Sequence, residues 1–308
     1  MNIEKDSNLT PNKPIKMPLF SLIIPTYNRV KLIGKTIESA LKQSFTNFEI
    51  IVVDDGSTDN TEELVNSYDD VRIRYFKKAN EERAVARNFG ANKAQGEFVY
   101  FLDSDDVIYP THLEEARKYI DRENKLLFFQ QYEFLYPGNK IKPNYEPKNL
   151  IINDELIKRG NFLSCHGVFI SRNIFLENKF NENRALTGSE DYELWLRLAS
   201  KYNFYYNNKI TSALVSHDER SVLNFDFTTL IKRKELMLSK ALTSFENQNN
   251  FDSKSAILKA NTYAYLSLHL AMMKKRKFSV EYLLKTVYNN PFFILDIRFF
   301  GVIKNLLF

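Results

Sequence analysis

With 308 residues, of which 44% are hydrophobic and 26% charged, the chain is long enough for one large domain or two smaller ones, and its composition is that of a globular protein. It contains no run of about 18 apolar residues that would read as a transmembrane helix, and the polar opening MNIEKDSNLTPNKPIK lacks the apolar stretch of a signal peptide. The net charge of +5 is concentrated at the end, where residues 271–308 set Lys274, Lys275, Arg276, Lys277, Lys285, Arg298 and Lys304 against Glu281 and Asp296; the balanced remainder argues against a nucleic-acid partner.

Residues 1–16 read as a flexible leader. Cys165 is the sole cysteine, so no internal disulfide can form, and a reducing cytoplasm is the expected compartment. FSLIIPTYN (20–28) is a β-rich run, followed by a helical pattern with Leu32, Ile33, Ile37 and Leu41 on one face. FEIIVVDDGS (48–57) is a second buried strand, and NTEELVNSY a short helix with Thr58 or Asp59 as its cap. VRIRYF alternates like a strand, ERAVARNFGANKAQ reads as helix, EFVYFLDSDD as strand, and YPTHLEEARKYI as a helix opened by Pro110 and Thr111. Such alternation, with continuous apolar strands, predicts a mostly parallel sheet covered by helices on both faces. The middle of the chain is mixed. KLLFFQQYEFLY and FLSCHGVFIS are strand-like, SEDYELWLRLASKY is an amphipathic helix with Leu194, Trp195 and Leu198 inward, and the last 80 residues are mainly helical.

FLDSDD (101–106) crowds three carboxylates behind an apolar strand, where each raises the others' proton affinity. Clustered aspartates bind Mg²⁺ or Mn²⁺ through oxygen, with phosphate oxygens as co-ligands; the alternative is a solvated Asp-rich turn. In parallel sheets ligands bind beyond the carboxyl ends of the strands. Pro25-Thr26-Tyr27-Asn28, Asp54-Asp55 and Asp103 to Asp106 all fall there. The chain has neither GxGxxG after its first strand nor GxxxxGK[ST] anywhere, which disfavours dinucleotide dehydrogenases and P-loop enzymes and leaves phosphates to a metal and to side chains such as Arg83 or Arg87. Thr187 and Glu190 fit a capping box for the SEDYELWL helix, in whose first turn the dipole favours an ionised Asp191. His112 and His166 attract no functional reading, and Trp195 reads as core.

FSLIIPTYNR, IIVVDDGSTD, ARNFGANKAQGEFVYFLDSDD and GSEDYELWLRLA together resemble the signature blocks of family 2 inverting glycosyltransferases, across roughly residues 18–220 and in the family's order. The resemblance implies a GT-A fold, an α/β Rossmann-like sheet flanked by helices. Its catalytic domain would span 17–225, with a nucleotide-binding half (17–120) and an acceptor half (121–225), and 226–308 would form a helical extension. It implies that Pro25, Tyr27 and Asp55 hold the base of a UDP-sugar donor, with Arg83 near the nucleotide. Asp103 would face the ribose and Asp105 would hold Mn²⁺ or Mg²⁺, with Asp106 in support and His217 near the metal or diphosphate. Asp191 would be the general base. Many relatives carry glycine just before the ARN block, where this chain has Glu82-Arg83-Ala84.

The tail combines its basic cluster with an apolar stripe of Phe299, Phe300, Val302, Ile303, Leu306, Leu307 and Phe308. That suits contact with the inner face of an anionic membrane, and hence a glycan or lipid-linked acceptor; the alternative is a helix docked on the catalytic domain or on a second subunit. Two other readings of the whole chain are a non-catalytic nucleotide- or glycan-binding module and a sugar nucleotidyltransferase. The former would predict loss of Asp105 or Asp191, and the latter a Gly-rich loop where PTYNR stands.

Overall fold

A computed structural model describes residues 17–123, 125–143, 145–217, 226–246 and 251–307. The expected leader, the boundary at 225 and Phe308 lie outside the described residues. The chain begins as its periodicity predicts, with β1 (Phe20–Thr26), α1 (Ile33–Leu41), β2 (Phe48–Asp54), α2 (Thr61–Asn66), β3 (Ile73–Lys77), α3 (Arg83–Lys93) and β4 (Phe98–Phe101). β1 pairs in parallel with β2 and β4, and β2 with β3. Successive side chains of a strand point to opposite faces. Ile23, Ile51, Val53, Val99 and Phe101 therefore share one core with Ala84, Ala86 and Ala91 of α3, while Leu22, Ile24, Ile50, Val52 and Tyr100 share another with Ile33, Ile37 and Ala40 of α1. Helix α3 sits so close that a Cβ on Gly90 would lie 2.5 Å from Cγ2 of Ile23.

The second half adds β5 (Val107–Ile108), α4 (His112–Glu123), β6 (Leu127–Tyr136), β7 (Asn139–Ile141), α5 (Asn153–Arg159), β8 (Val168–Ser171), α6 (Arg172–Glu177), α7 (Glu190–Ala199) and β9 (Tyr205–Val215). The sheet runs β3-β2-β1-β4-β8-β6-β9-β5, with β7 on β6. Here β6 and β9 are parallel, whereas β4–β8, β6–β8, β6–β7 and β5–β9 are antiparallel. Unbroken parallel order is thus a property of the first half, whereas the second half mixes the parallel β6–β9 pair with antiparallel ones. An apolar run such as LFFQQYEFLY registers burial on the sheet but not the direction of its neighbours. Of FLSCHGVFIS only the last four residues are strand, because Cys165–Gly167 forms a single 3₁₀ turn.

Four helices follow: α8 (Phe227–Phe245), α9 (Phe251–Met272), α10 (Arg276–Asn289) and α11 (Ile297–Leu307). Met237, Leu238, Ala241 and Phe245 of α8 join the core that contains Trp195 and Phe204, so this region packs directly on the sheet domain. Much of the expected tail stripe is docked. Val302 is fully buried and, with Phe299, Ile303 and Leu306, packs against Ala264, Leu283 and Phe293, while Phe300 and Leu307 stay exposed at 60% and 68%. No helix among the described residues is long and apolar enough to cross a membrane.

Candidate active site

The turn after β1 sends the chain through Asn28, whose φ of 50° is left-handed, a region asparagine tolerates. Its amide N–H donates to Ser57 Oγ and its side-chain oxygen accepts from the Thr58 N–H, each at 2.8 Å. This pins the turn to the end of β2 and leaves Tyr27 47% exposed beside Pro25. The two aspartates that end β2 divide their labour. Asp54 is fully buried and accepts from Ser57 N–H at 2.7 Å and Tyr75 O–H at 2.6 Å. Asp55 faces an open cleft and accepts from the Glu82 N–H at 2.9 Å, from the Glu81 N–H, and from Lys78 Nζ at 2.8 Å.

That cleft, of about 360 Å³, is lined by Pro25, Tyr27, Arg29, Asp55, Glu82, Arg83, Asp103, Ser104 and Asp105 among others. The expected nucleotide residues Pro25, Tyr27, Asp55, Arg83 and Asp103 therefore share one wall system with Asp105. Glu82, in the stretch just before the ARN block, adopts φ = 82°. Its amide is held by Asp55, so the backbone takes the glycine-favoured course despite the side chain.

The three carboxylates of DSDD point to different partners. Asp103 meets Arg87 at 2.7 Å, and Arg87 also reaches Glu190 at 3.1 Å. Burial works against the charge on Asp103, but Arg87 and Arg83 together hold it below the ordinary aspartate range. Arg87 is 2% exposed and belongs to a buried relay rather than to a phosphate site. Asp106 turns inward, accepting from the Val215 N–H at 2.9 Å and meeting His166 Nδ1 at 3.1 Å, which gives that histidine a structural place. Asp105 Oδ2 lies 2.9 Å from His217 Nε2, and Nδ1 of this histidine has no hydrogen-bond partner among the described residues. No group of three or more His, Cys, Asp or Glu side chains is assembled for a metal among the described residues; Asp105 and His217 form a two-donor pair.

Asp191 lies in the first turn of α7 and is not among the cleft-lining residues. It connects to the cleft through the neighbouring Glu190, Arg87 and Asp103. The expected capping box is absent. Ser189 is the N-cap, and the Glu190 carboxylate accepts from the Gly188 N–H at 2.5 Å and faces Arg87 and, at 3.8 Å, Arg83. Asp191 accepts from the Tyr192 N–H at 2.6 Å and from Asn161 Nδ2 at 3.0 Å. Burial, with the Glu190 charge beside it, raises Asp191 above the ordinary range, which overrides the dipole effect expected from its place on the helix. A carboxylate so raised is a stronger base than a solvated one. Trp195 is fully buried core.

Sequence reasoning did not find Lys78, Arg29 or the Arg87–Glu190 pair. Arg87 had a legible signal: it falls on the same helical face as Ala84 and Ala91, a core position for a charged residue.

Comparison with known proteins adds relatives. The family model for glycosyl transferase family 2 matches residues 21–180, more than half of the chain. An uncharacterized glycosyltransferase of Rickettsia felis is 37% identical over 186 residues, 59% of this chain but 30% of that protein, so the chain spans under a third of this relative's length. The Escherichia coli UDP-Glc:alpha-D-GlcNAc-diphosphoundecaprenol beta-1,3-glucosyltransferase WfgD is 31% identical over 186 residues, covering 60% of this chain and 71% of WfgD. Among solved structures, S. aureus TarS 1–349 in complex with UDP aligns with a TM-score of 0.67 at 20% identity, over 93% of this chain and 88% of that one, a likeness of fold. Sheet topology, motif order and matched segment agree: the chain belongs to glycosyl transferase family 2.

Proposed function

We propose that the chain is an inverting glycosyltransferase that moves a sugar from a UDP-sugar to a hydroxyl of a glycan or lipid-linked acceptor in surface polysaccharide or glycoconjugate synthesis. The observation that carries this reading is the convergence of Pro25, Tyr27, Asp55, Arg83, Asp103 and Asp105 on one cleft at the ends of β1, β2 and β4. WfgD, named for a UDP-Glc donor and a diphosphoundecaprenol acceptor, and the UDP complex of TarS support the choice of donor and acceptor class.

The exposed Tyr27 ring offers a stacking face for a pyrimidine, and Asp55 an acceptor for its imide N–H. Arg83 and Arg29 bring positive charge to the wall where the diphosphate would lie. Asp105 suits Mn²⁺ or Mg²⁺ as an oxygen ligand, and the imidazole of His217 beside it suits Mn²⁺ better than Mg²⁺; further positions would be left to diphosphate oxygens. Such a cation would neutralise charge developing on the leaving group. Asp191 takes the proton of the acceptor hydroxyl as its oxygen bonds to the anomeric carbon. The bond from that carbon to the diphosphate breaks and its electron pair leaves with UDP, which inverts the centre.

The exposed apolar side chains of α11 and the turn before it, Phe292, Leu295, Ile297, Phe300 and Leu307, together with the exposed run Lys274 to Lys277, support peripheral contact at the cytoplasmic face of the membrane, where lipid-linked acceptors reside.

A donor screen that detects released nucleoside diphosphate tests the activity. Turnover with a UDP-sugar that needs Mn²⁺ or Mg²⁺ is expected. It should fall about 10²- to 10⁴-fold in Asp191→Asn with UDP affinity retained, and Asp105→Asn should abolish turnover or shift it to much higher Mn²⁺ or Mg²⁺ concentrations. UDP binding without turnover by the unaltered chain with any donor would favour a binding module instead.

A further inference from the structure

Helix α8 lies outside the segment matched by the family model, yet it packs on α7 and carries two basic residues into that region. Arg233 is 4% exposed. Lys234, partly buried, donates from Nζ to Ser189 Oγ at 3.0 Å, and the same nitrogen lies 4.5 Å from the centre of the Tyr265 ring of α9. Ser189 is the N-cap of α7, directly before Glu190 and Asp191. Burial pushes the Lys234 ammonium down to about 8, against the pull of Asp191 and Glu190. An amine kept in so unfavourable a setting, at the helix start that bears a candidate base, is the pattern of a functional group.

The acids it faces are unequally served. Glu190 has Arg87 at 3.1 Å and Arg83 at 3.8 Å, whereas the hydrogen-bond donors to Asp191 are the neutral Tyr192 amide and Asn161 side chain. We propose that Lys234 is a positioning residue for Asp191: tied to Ser189, its ammonium fixes the first turn of α7 and offsets the negative charge of Glu190 at the base.

The inference rests on the reading of Asp191 as base, but the charge relation is measurable without substrate. Asp191 is faced by Glu190 on its own helix, Arg87 of α3, the buried Cys165 thiol and Lys234 of α8, while Arg83 and Arg233 act on Glu190. Without the Lys234 charge, the repulsion from Glu190 is less opposed and Asp191 binds its proton more tightly.

The test is an NMR titration of the full chain with isotope-labelled aspartate, the Asp191 signal being assigned by its loss in Asp191→Asn. The Asp191 midpoint should rise by about half a pH unit or more in Lys234→Met and return towards the original value in Lys234→Arg. An unchanged midpoint in folded Lys234→Met, or an equal rise in Lys234→Arg, overturns the proposal. Lys234→Gln serves the same comparison if the methionine variant fails to fold. Failure of the glycosyltransferase reading would show separately, as absence of nucleotide release by the unaltered chain, and leaves this titration decisive.

Discussion

Every residue of β1, β2 and β4 is buried, whereas α11 and the 3₁₀ turn before it expose Phe292 at 78%, Leu295 at 75%, Ile297 at 84% and Phe300 at 60%. Both stretches are rich in large apolar side chains, so composition alone does not separate them. The difference lies in what covers them: helices close both faces of the sheet, while α11 packs on one side, through Phe299, Val302, Ile303 and Leu306. In the first region a changed side chain should register in folding stability. In the second it should register in what the surface touches.

Substitutions that sharpen or break this contrast can be ordered by size. Arg87→Leu strips the buried Glu190 of its nearest cation and Asp103 of its ion-pair partner, and should destabilise the fold by about 3–5 kcal/mol in denaturant unfolding. His112 provides a pH-dependent counterpart. It is fully buried, and burial holds its proton affinity down to about 3 from an ordinary 6.5. Between those values the unfolded chain binds the proton and the folded chain does not, so stability falls as pH drops below 6.5. The slope from this one group approaches about 1.4 kcal/mol per pH unit, and His112→Gln should make the acid-side decline of Tm shallower.

Gly90→Ala drives a methyl group into Ile23 and should cost about 1–3 kcal/mol. Glu82→Gly should act in the opposite direction. It releases a strained φ of 82° worth about 1–3 kcal/mol but adds freedom to the unfolded chain, for a net gain of about 1 kcal/mol in chemical unfolding. Phe300→Ser should leave stability within about 0.5 kcal/mol while weakening flotation on anionic vesicles. A large loss of stability there, or unchanged flotation, would erase the distinction between the two regions.

The sheet's first half was legible because burial on both faces writes itself as continuous apolar runs, and because caps and turns such as PTYN and DDGS punctuate them. Strand direction beyond β4 was not, since β8 and β6 look alike in sequence whichever way their neighbours run. At the site, Asp103 and Asp105 were readable from their position at a strand end. The expected capping box failed because the helix starts at Ser189 rather than Thr187, so Glu190 falls at its first position, where one carboxylate oxygen accepts from the Gly188 N–H and the other meets Arg87 of α3. The tail stripe was half right: its period is helical, but a period cannot say which side finds a partner within the chain.

One detail at the end of β2 bears on how the cleft holds its shape. The Asp55 carboxylate is engaged by the amides of Glu81 and Glu82 and by the Lys78 ammonium. A group tethered three ways does not swing, so the recess beside it keeps its shape with no guest inside, and the entropy of ordering residues 78–82 is settled during folding rather than at association. If nucleotides bind there as proposed, entry meets little rearrangement, and different nucleotides should be told apart by their residence times rather than by their arrival rates.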